Sequence, residues 1–184
     1  AGAREVHIVE EPMAAAIGIR LPIKNPVGNM IIDVGGGTTD IAVISLEGIV
    51  RSKNLRIAGD RFDNDIVAYV RNEFKILIGE KTAEHLKIAV GSILPRDETL
   101  ELSARGRDLV TGLPREVTIT DSDVRVAIAQ SVDHIIESAK EVLETTPPEI
   151  LGDVMHRGIY LVGGGALLRG LPDFLAETLR LDVH

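Results

Sequence analysis

Apolar residues recur along this chain with two periods, and the switches between them mark its elements. Met30 to Val34 and Ile41 to Leu46 are mainly apolar runs on either side of a glycine-rich stretch. That tight spacing predicts an antiparallel hairpin with the glycines at its tip. Glu47-Gly48 then turns the chain into a third strand, Ile49 to Ile57. From Asp60 to Ile78 the period lengthens to that of a helix, with Phe62, Ile66, Val70 and Phe74 on one stripe. A second helix is predicted over Lys81 to Ile93, with Ala83, Leu86, Ile88 and Val90 as its apolar positions. Between Leu94 and Thr120 the pattern breaks into short alternating stretches around Gly106, Gly112 and Pro114, which predicts strands near Thr99–Ala104 and Glu116–Thr120.

Thr120-Asp121-Ser122-Asp123 reads as a helix start, a capping hydroxyl followed by acids in the first turn. Val124, Ile128, Val132, Ile135, Ala139 and Val142 carry that helix to about Glu144. Thr146-Pro147-Pro148 restarts a helix over Glu149–Val154, Ile159–Val162 is a strand, and Leu171–Leu179 is the last helix. Leu181 to His184 looks like a further strand. At the other end, Glu5–Val9 reads as a strand end and Glu11–Ile19 as a helix, with Pro12 where a missing N–H costs nothing. Leu21–Gly28 is a connector. The sum is an α/β chain: a mixed sheet flanked by helices, with a small α+β insertion.

Two glycine triplets follow predicted strands: Asp33-Val34-Gly35-Gly36-Gly37-Thr38-Thr39-Asp40 and Leu161-Val162-Gly163-Gly164-Gly165-Ala166. Glycine reaches positive φ and lets a ligand approach main-chain N–H groups with no Cβ in the way. Successive N–H donors form an anion-binding concavity. Gly35, Gly36 and Gly37 could thus offer N–H groups to phosphate, and Thr38 a hydroxyl. The plainer alternative is a tight hairpin with solvated acids. The second triplet precedes a short helix, Ala166–Arg169, whose N-terminus suits a sugar or base; a simple connector would look the same. Asp33, at the end of a buried strand, could hold a Mg²⁺-bound water, since Mg²⁺ keeps several waters and prefers oxygen ligands. Asp40 could orient a water or support the loop.

Glu84 and Lys87 share one helix face, where they could read a nucleoside edge or form an exposed ion pair. Glu10-Glu11 precedes Pro12 at a strand-to-helix junction; such a carboxylate could polarise a water, or simply favour the helix N-terminus.

Composition narrows the partners. Net charge is -8, which disfavours a nucleic-acid backbone, and aromatics make up only 3%, which disfavours base-stacking platforms. With no Cys and five His lacking ligand spacing, thiolate and zinc sites are unsupported. No P-loop, dinucleotide fingerprint or GxSxG elbow occurs. No apolar run approaches a membrane span. The chain begins Ala1-Gly2-Ala3-Arg4 with no signal peptide and reads as an excised fragment.

In order and spacing, these segments resemble the actin/Hsp70/sugar-kinase ATPase superfamily, and within it the MreB family of bacterial actin homologues. Ile8 to Gly18 resembles its catalytic-helix segment and Asp33–Asp40 its second phosphate loop. Ala58-Gly59-Asp60-Arg61-Phe62-Asp63 and Thr82 to Lys87 resemble its nucleoside-side segments, and Gly163 to Gly170 its adenosine loop. The resemblance implies an actin-like ATPase (ribonuclease H-like) lobe. Residues 1–27 would end a first lobe, 28–64 and 121–184 would form the core of the second, and 65–120 would be its inserted subdomain.

The resemblance also assigns roles. Asp33 would handle the Mg²⁺-water, Gly35 to Thr38 the β/γ-phosphates of ATP, and Glu84 and Lys87 ribose and adenine. Gly163, Gly164, Gly165 and Ala166 would receive adenosine, with Gly59 close under it. Glu11, or else Glu10, would serve the hydrolytic water. Nothing in the sequence matches the family's first phosphate loop. Weak ATP binding and negligible hydrolysis are therefore expected of the fragment, with ATPase activity in the intact protein. The resemblance further implies self-assembly into filaments at the inner face of the cytoplasmic membrane, reached through the missing lobe. It also implies work with membrane proteins of cell-wall elongation. A chaperone or sugar-kinase ATPase of the same superfamily, or an ATPase-dead scaffold, remains the alternative.

Overall fold

Asn29–Val34 (β1) and Thr39–Ser45 (β2) pair antiparallel, with Asp33 opposite Asp40, and Gly48–Leu55 (β3) adds to β2. In this computed structural model, which describes Gly2 and residues 4–184, Ile159–Val162 (β7) completes the sheet by running parallel to β1. The order is β3-β2-β1-β7. β1 is buried at every position but Asp33, because both its faces are covered. Met30, Ile32 and Val34 enter the main core, and Ile31 enters a smaller cluster beneath helix α1, Glu11–Gly18. Asp153 in helix α5, Pro148–Arg157, accepts from the Gly28 N–H at 2.8 Å, and Arg157 donates to Asn29 at 3.0 Å, so both fix where β1 begins.

The main core is built by helices α2 (Gly59–Phe74), α3 (Glu80–Val90), α4 (Asp121–Glu144) and α6 (Leu171–Leu179). Phe62, Ile66 and Val70 of α2 are buried as the periodicity predicts, and so is the α4 stripe. α4 begins with a full capping box: Asp123 N–H donates to Thr120 Oγ1, and the Thr120 N–H donates back to Asp123. A second sheet, β4-β5-β6, is made of Ile76–Leu77 (β4), Glu101–Asp108 (β5) and Pro114–Thr120 (β6), all antiparallel.

Several expectations need correction. Helix α2 does not reach Ile78: Lys75 takes a left-handed φ of 57° and ends it, which frees Ile76–Leu77 to become β4. α3 ends at Val90, and Ile88 is not core but 63% exposed. Ala83, Leu86 and Val90 already form the buried face, and position 88 falls nearly opposite it. Glu5–Val9 forms no strand, because among the described residues no neighbour pairs with it; Ile8 is 98% exposed. The short helix expected at Ala166–Arg169 is a 3₁₀ turn over Gly164–Leu167. The end of the chain pairs beside β7, through Ile159 N–H to Asp182 O and Leu161 N–H to His184 O, but as a single bridge and not a full strand. Ala1 and Ala3 of the expected first segment lie outside the described residues.

Candidate functional site

Because β1 and β7 are parallel neighbours, their C-terminal ends lie side by side and deliver both glycine turns to one edge of the sheet. Crevices outside the carboxyl ends of such strands are where open α/β sheets receive ligands. The turns touch. A Cβ on Gly163 would lie 2.4 Å from Val34 O and 2.5 Å from Asp33 Oδ1, and one on Gly165 2.3 Å from Val34 Cγ1. Gly163 has φ 88°, so a side chain there is excluded twice over.

The first turn uses its glycines differently. None of Gly35, Gly36 or Gly37 has positive φ, so of the two uses of glycine only the unobstructed approach to the backbone applies here. Gly35 is also not a free donor, since its N–H closes the turn on Thr38 O at 2.9 Å. The N–H groups of Gly36, Gly37 and Thr38 find no acceptor among the described residues. Space at Gly36 is ample, the nearest atom to an added Cβ being Asp60 Oδ1 at 3.6 Å. Here glycine keeps the amides uncovered.

Helix α2 is tied to this turn: Gly59 N–H donates to Gly35 O at 3.1 Å and Asp60 N–H to Gly36 O at 2.8 Å. α3 is tied in turn to α2. Lys87 Nζ donates to Gly59 O at 3.0 Å and lies 2.8 Å from Asp63 Oδ1. That ion pair is off the hydrogen-bond direction, so the buried Asp63 Oδ1 has a charge partner but no aligned donor. Burial pushes the Asp63 carboxyl above its ordinary range, and Lys87 works against that rise. On the far side, Arg169 donates to the carbonyls of Ile88 and Ala89 at 2.9 and 3.1 Å, and its own carbonyl accepts from Ile93 N–H. The C-terminus of α3 is thus clamped to the second glycine turn.

Between these elements lies a cleft of ≈ 470 Å³, within the range of small-molecule and cofactor sites. Of the residues nominated from sequence, Gly35, Gly36, Gly59, Glu84, Lys87, Gly164 and Gly165 line it. Gly37, Thr38, Gly163 and Ala166 belong to the same two turns without lining the cleft. Glu84 is exposed and Lys87 half-buried; the plainer alternative of an exposed Glu84–Lys87 ion pair is not formed, and Lys87 pairs with Asp63 instead. Glu10 and Glu11 are exposed at the start of α1 and are not brought to the cleft.

Asp33 and Asp40 face the α1 side of the sheet, in step with Ile31 and Ala42. Burial, and then the charge of Asp40, push the Asp33 carboxyl above its usual range. Ionised, the pair is under-compensated, which suits a nearby cation. No three His, Cys, Asp or Glu groups gather as direct metal ligands among the described residues. Asp60 and Asp63 fall in a segment read as nucleoside-side and Leu167 and Arg169 in the adenosine loop, but the sequence assigns no role of its own to any of these or to Ile88, and all line the cleft. Asp63 had left a signal: it stands three residues before Ile66 and seven before Val70, which puts an acid on the buried face of α2, and a buried acid needs a partner.

The family described as MreB/Mbl protein matches residues 1–184. The chain is 50% identical over 182 residues to the cell shape-determining protein Mbl of Bacillus subtilis (strain 168), covering 99% of this chain and 55% of that one. It is 48% identical to the cell shape-determining protein MreB of Escherichia coli (strain K12), covering 100% and 53%. The chain therefore spans about half the length of the curated relatives it matches. Among solved structures it superposes on MreB5 of Spiroplasma citri bound to AMPPNP with a TM-score of 0.96 at 42% identity, covering 100% of this chain and 55% of that one. It superposes on a MamK double helical filament with a TM-score of 0.77 at 25% identity, covering 96% and 53%. The mixed sheet with flanking helices is the actin-like fold.

Proposed function

The chain belongs to the MreB/Mbl family, and from that premise we propose that it is the nucleotide-binding part of a bacterial actin-like cell-shape protein. In this reading it holds ATP in the cleft between the two glycine turns, and the bound state favours head-to-tail assembly into filaments. The observation that carries the reading is the convergence of Gly36, Gly59, Glu84, Lys87 and Gly164 on one cleft. The AMPPNP-bound MreB5 relative supports the nucleotide, and the MamK filament supports self-assembly. Membership of this family also sets aside the chaperone and sugar-kinase alternatives.

The residues divide the work by chemistry. The uncovered amides of Gly36, Gly37 and Thr38 receive the phosphate end. Gly35, whose N–H is occupied, contributes only its missing side chain. Glu84 accepts from sugar hydroxyls, Lys87 donates to the nucleoside, and Gly164 lets it approach the backbone while Gly163, Gly165 and Ala166 hold the turn in place. The cleft lining carries Asp60, Asp63 and Glu84 against Lys87 and Arg169, so it offers no positive excess to a polyphosphate. A bound Mg²⁺ supplies that charge neutralisation. Asp33 would hold it through a water. Glu11, or else Glu10, orients the hydrolytic water once the other lobe closes over the cleft. The isolated chain, with both carboxylates outside the cleft, binds ATP weakly and turns it over negligibly. In the cell the filaments lie at the inner face of the cytoplasmic membrane, contact it through the other lobe, and guide membrane proteins of cell-wall elongation.

A ligand shifts assembly only through its differential affinity for the two states. Sedimentation of the full-length protein therefore tests the reading. ATP is expected to increase the pelleted fraction, and Asp33→Ala to remove that increase. Pelleting indifferent to ATP would refute it.

A further inference from the structure

We propose that Asp63 is a positioning residue for nucleoside recognition: it holds the Lys87 ammonium at the cleft wall and neutralises it, so that Lys87 reads an uncharged acceptor and not a phosphate. The proposal rests on the nucleotide reading above and deepens it. Asp63 is 8% exposed, deep for an acid, and stands one helical turn from Gly59, the residue whose carbonyl also takes Lys87. An ammonium has three donors. Gly59 O occupies one, and Asp63 Oδ1, 2.8 Å away but off the hydrogen-bond direction, holds the charge without taking another, so donors remain for the cleft that Lys87 lines.

The charges decide what that donor can take. Lys87 and Asp63 cancel, with Glu84 nearby, so the ammonium carries no surplus charge here, whereas the Asp60 carboxylate stands beside Gly36 and Gly37. A phosphate would find no net positive charge at Lys87; a ribose hydroxyl or a ring nitrogen would meet a fixed donor. The phosphate end must then lie toward the uncovered amides of Gly36 to Thr38. Rigidity follows from the same links, because Lys87 ties α3 to Gly59, and Gly59 and Asp60 tie α2 to the first glycine turn. A lysine stem held at both ends loses less freedom on binding.

The test uses the full-length protein and three probes, namely ATP, adenosine and tripolyphosphate. Asp63→Asn should weaken ATP and adenosine about tenfold, the size of one charge-assisted hydrogen bond, and should not weaken tripolyphosphate, since it removes a negative charge. Asp63→Glu should recover most of the loss. In the Lys87→Met background, Asp63→Asn should have little further effect, since it acts through Lys87. If Asp63→Asn does not fold, the Lys87 ammonium resonance of the unmodified protein carries the test: adenosine should shift it and tripolyphosphate should not. Equal weakening of all three probes, an unshifted resonance, or unchanged ATP affinity in a folded Asp63→Asn protein would overturn this role alone. An unmodified protein that binds no ATP would overturn the nucleotide reading and this proposal with it.

Discussion

Gly163 and Gly36 sit in similar triplets for different reasons, and substitution separates them. At Gly163, alanine would be strained at φ 88° and would collide with Val34 O. Gly163→Ala is expected to lower unfolding stability by about 1–3 kcal/mol. At Gly36 an added Cβ has room. Gly36→Ala should stay within about 0.5 kcal/mol of the parent in thermal melts, yet weaken ATP binding by covering the amides. The sequence cannot tell these glycines apart, because which one is squeezed depends on β7 docking beside β1, a contact more than a hundred residues away along the chain. The Asp33 carboxyl behaves in a way that can be followed with pH. Its folded-state pKa is raised, so the folded state binds the proton more tightly, and its contribution to stability falls as pH rises from about 4 toward the raised value. Asp33→Asn is thus expected to melt higher than the parent near neutrality, with the gap closing on acidification; a gap that widens in acid would refute the assignment.

Local signals set most element boundaries, and the exceptions have identifiable causes. α4 was legible from Thr120 and the period that follows, and its capping box repeats what the sequence said. Thr120→Ala should cost about 1 kcal/mol in chemical denaturation. The end of α2 was not legible: Lys75 is an ordinary helix former, and its left-handed φ is imposed by the pairing of Ile76–Leu77 with Arg107 and Asp108. Asp108 itself anchors the β5–β6 turn, accepting from the N–H groups of Val110 and Thr111 at 2.8 and 2.9 Å and from Arg115 at 3.0 Å. Those bonds hold its carboxyl down to about 2. The folded pKa is depressed, so the stability Asp108 supplies is complete above about pH 4 and is lost as pH falls through about 2. Asp108→Asn is expected to melt lower than the parent at neutral pH and to converge with it near pH 2.

At the scale of the whole molecule, one continuous core joins both sheets through α2, α3 and α4. Truncating its centre, as in Ile128→Ala, should cost about 2–5 kcal/mol. The apolar periodicity and the glycine turns announced an α/β chain with a ligand site, but not how the site closes. Convergence depends on the parallel β1/β7 pair and on α3 packing against α2, neither of which has a local signature. The same long-range packing turns Lys87 from an apparent surface residue into the link between α3 and Gly59. It also leaves Glu10 and Glu11 outside the cleft. A structure of the full-length protein grown with AMPPNP tests the central claim most directly. The phosphates are expected at the amides of Gly36 to Thr38, with the adenosine between Lys87 and Gly164. A nucleotide bound elsewhere, or a cleft that stays closed to it at saturating concentration, would contradict that claim.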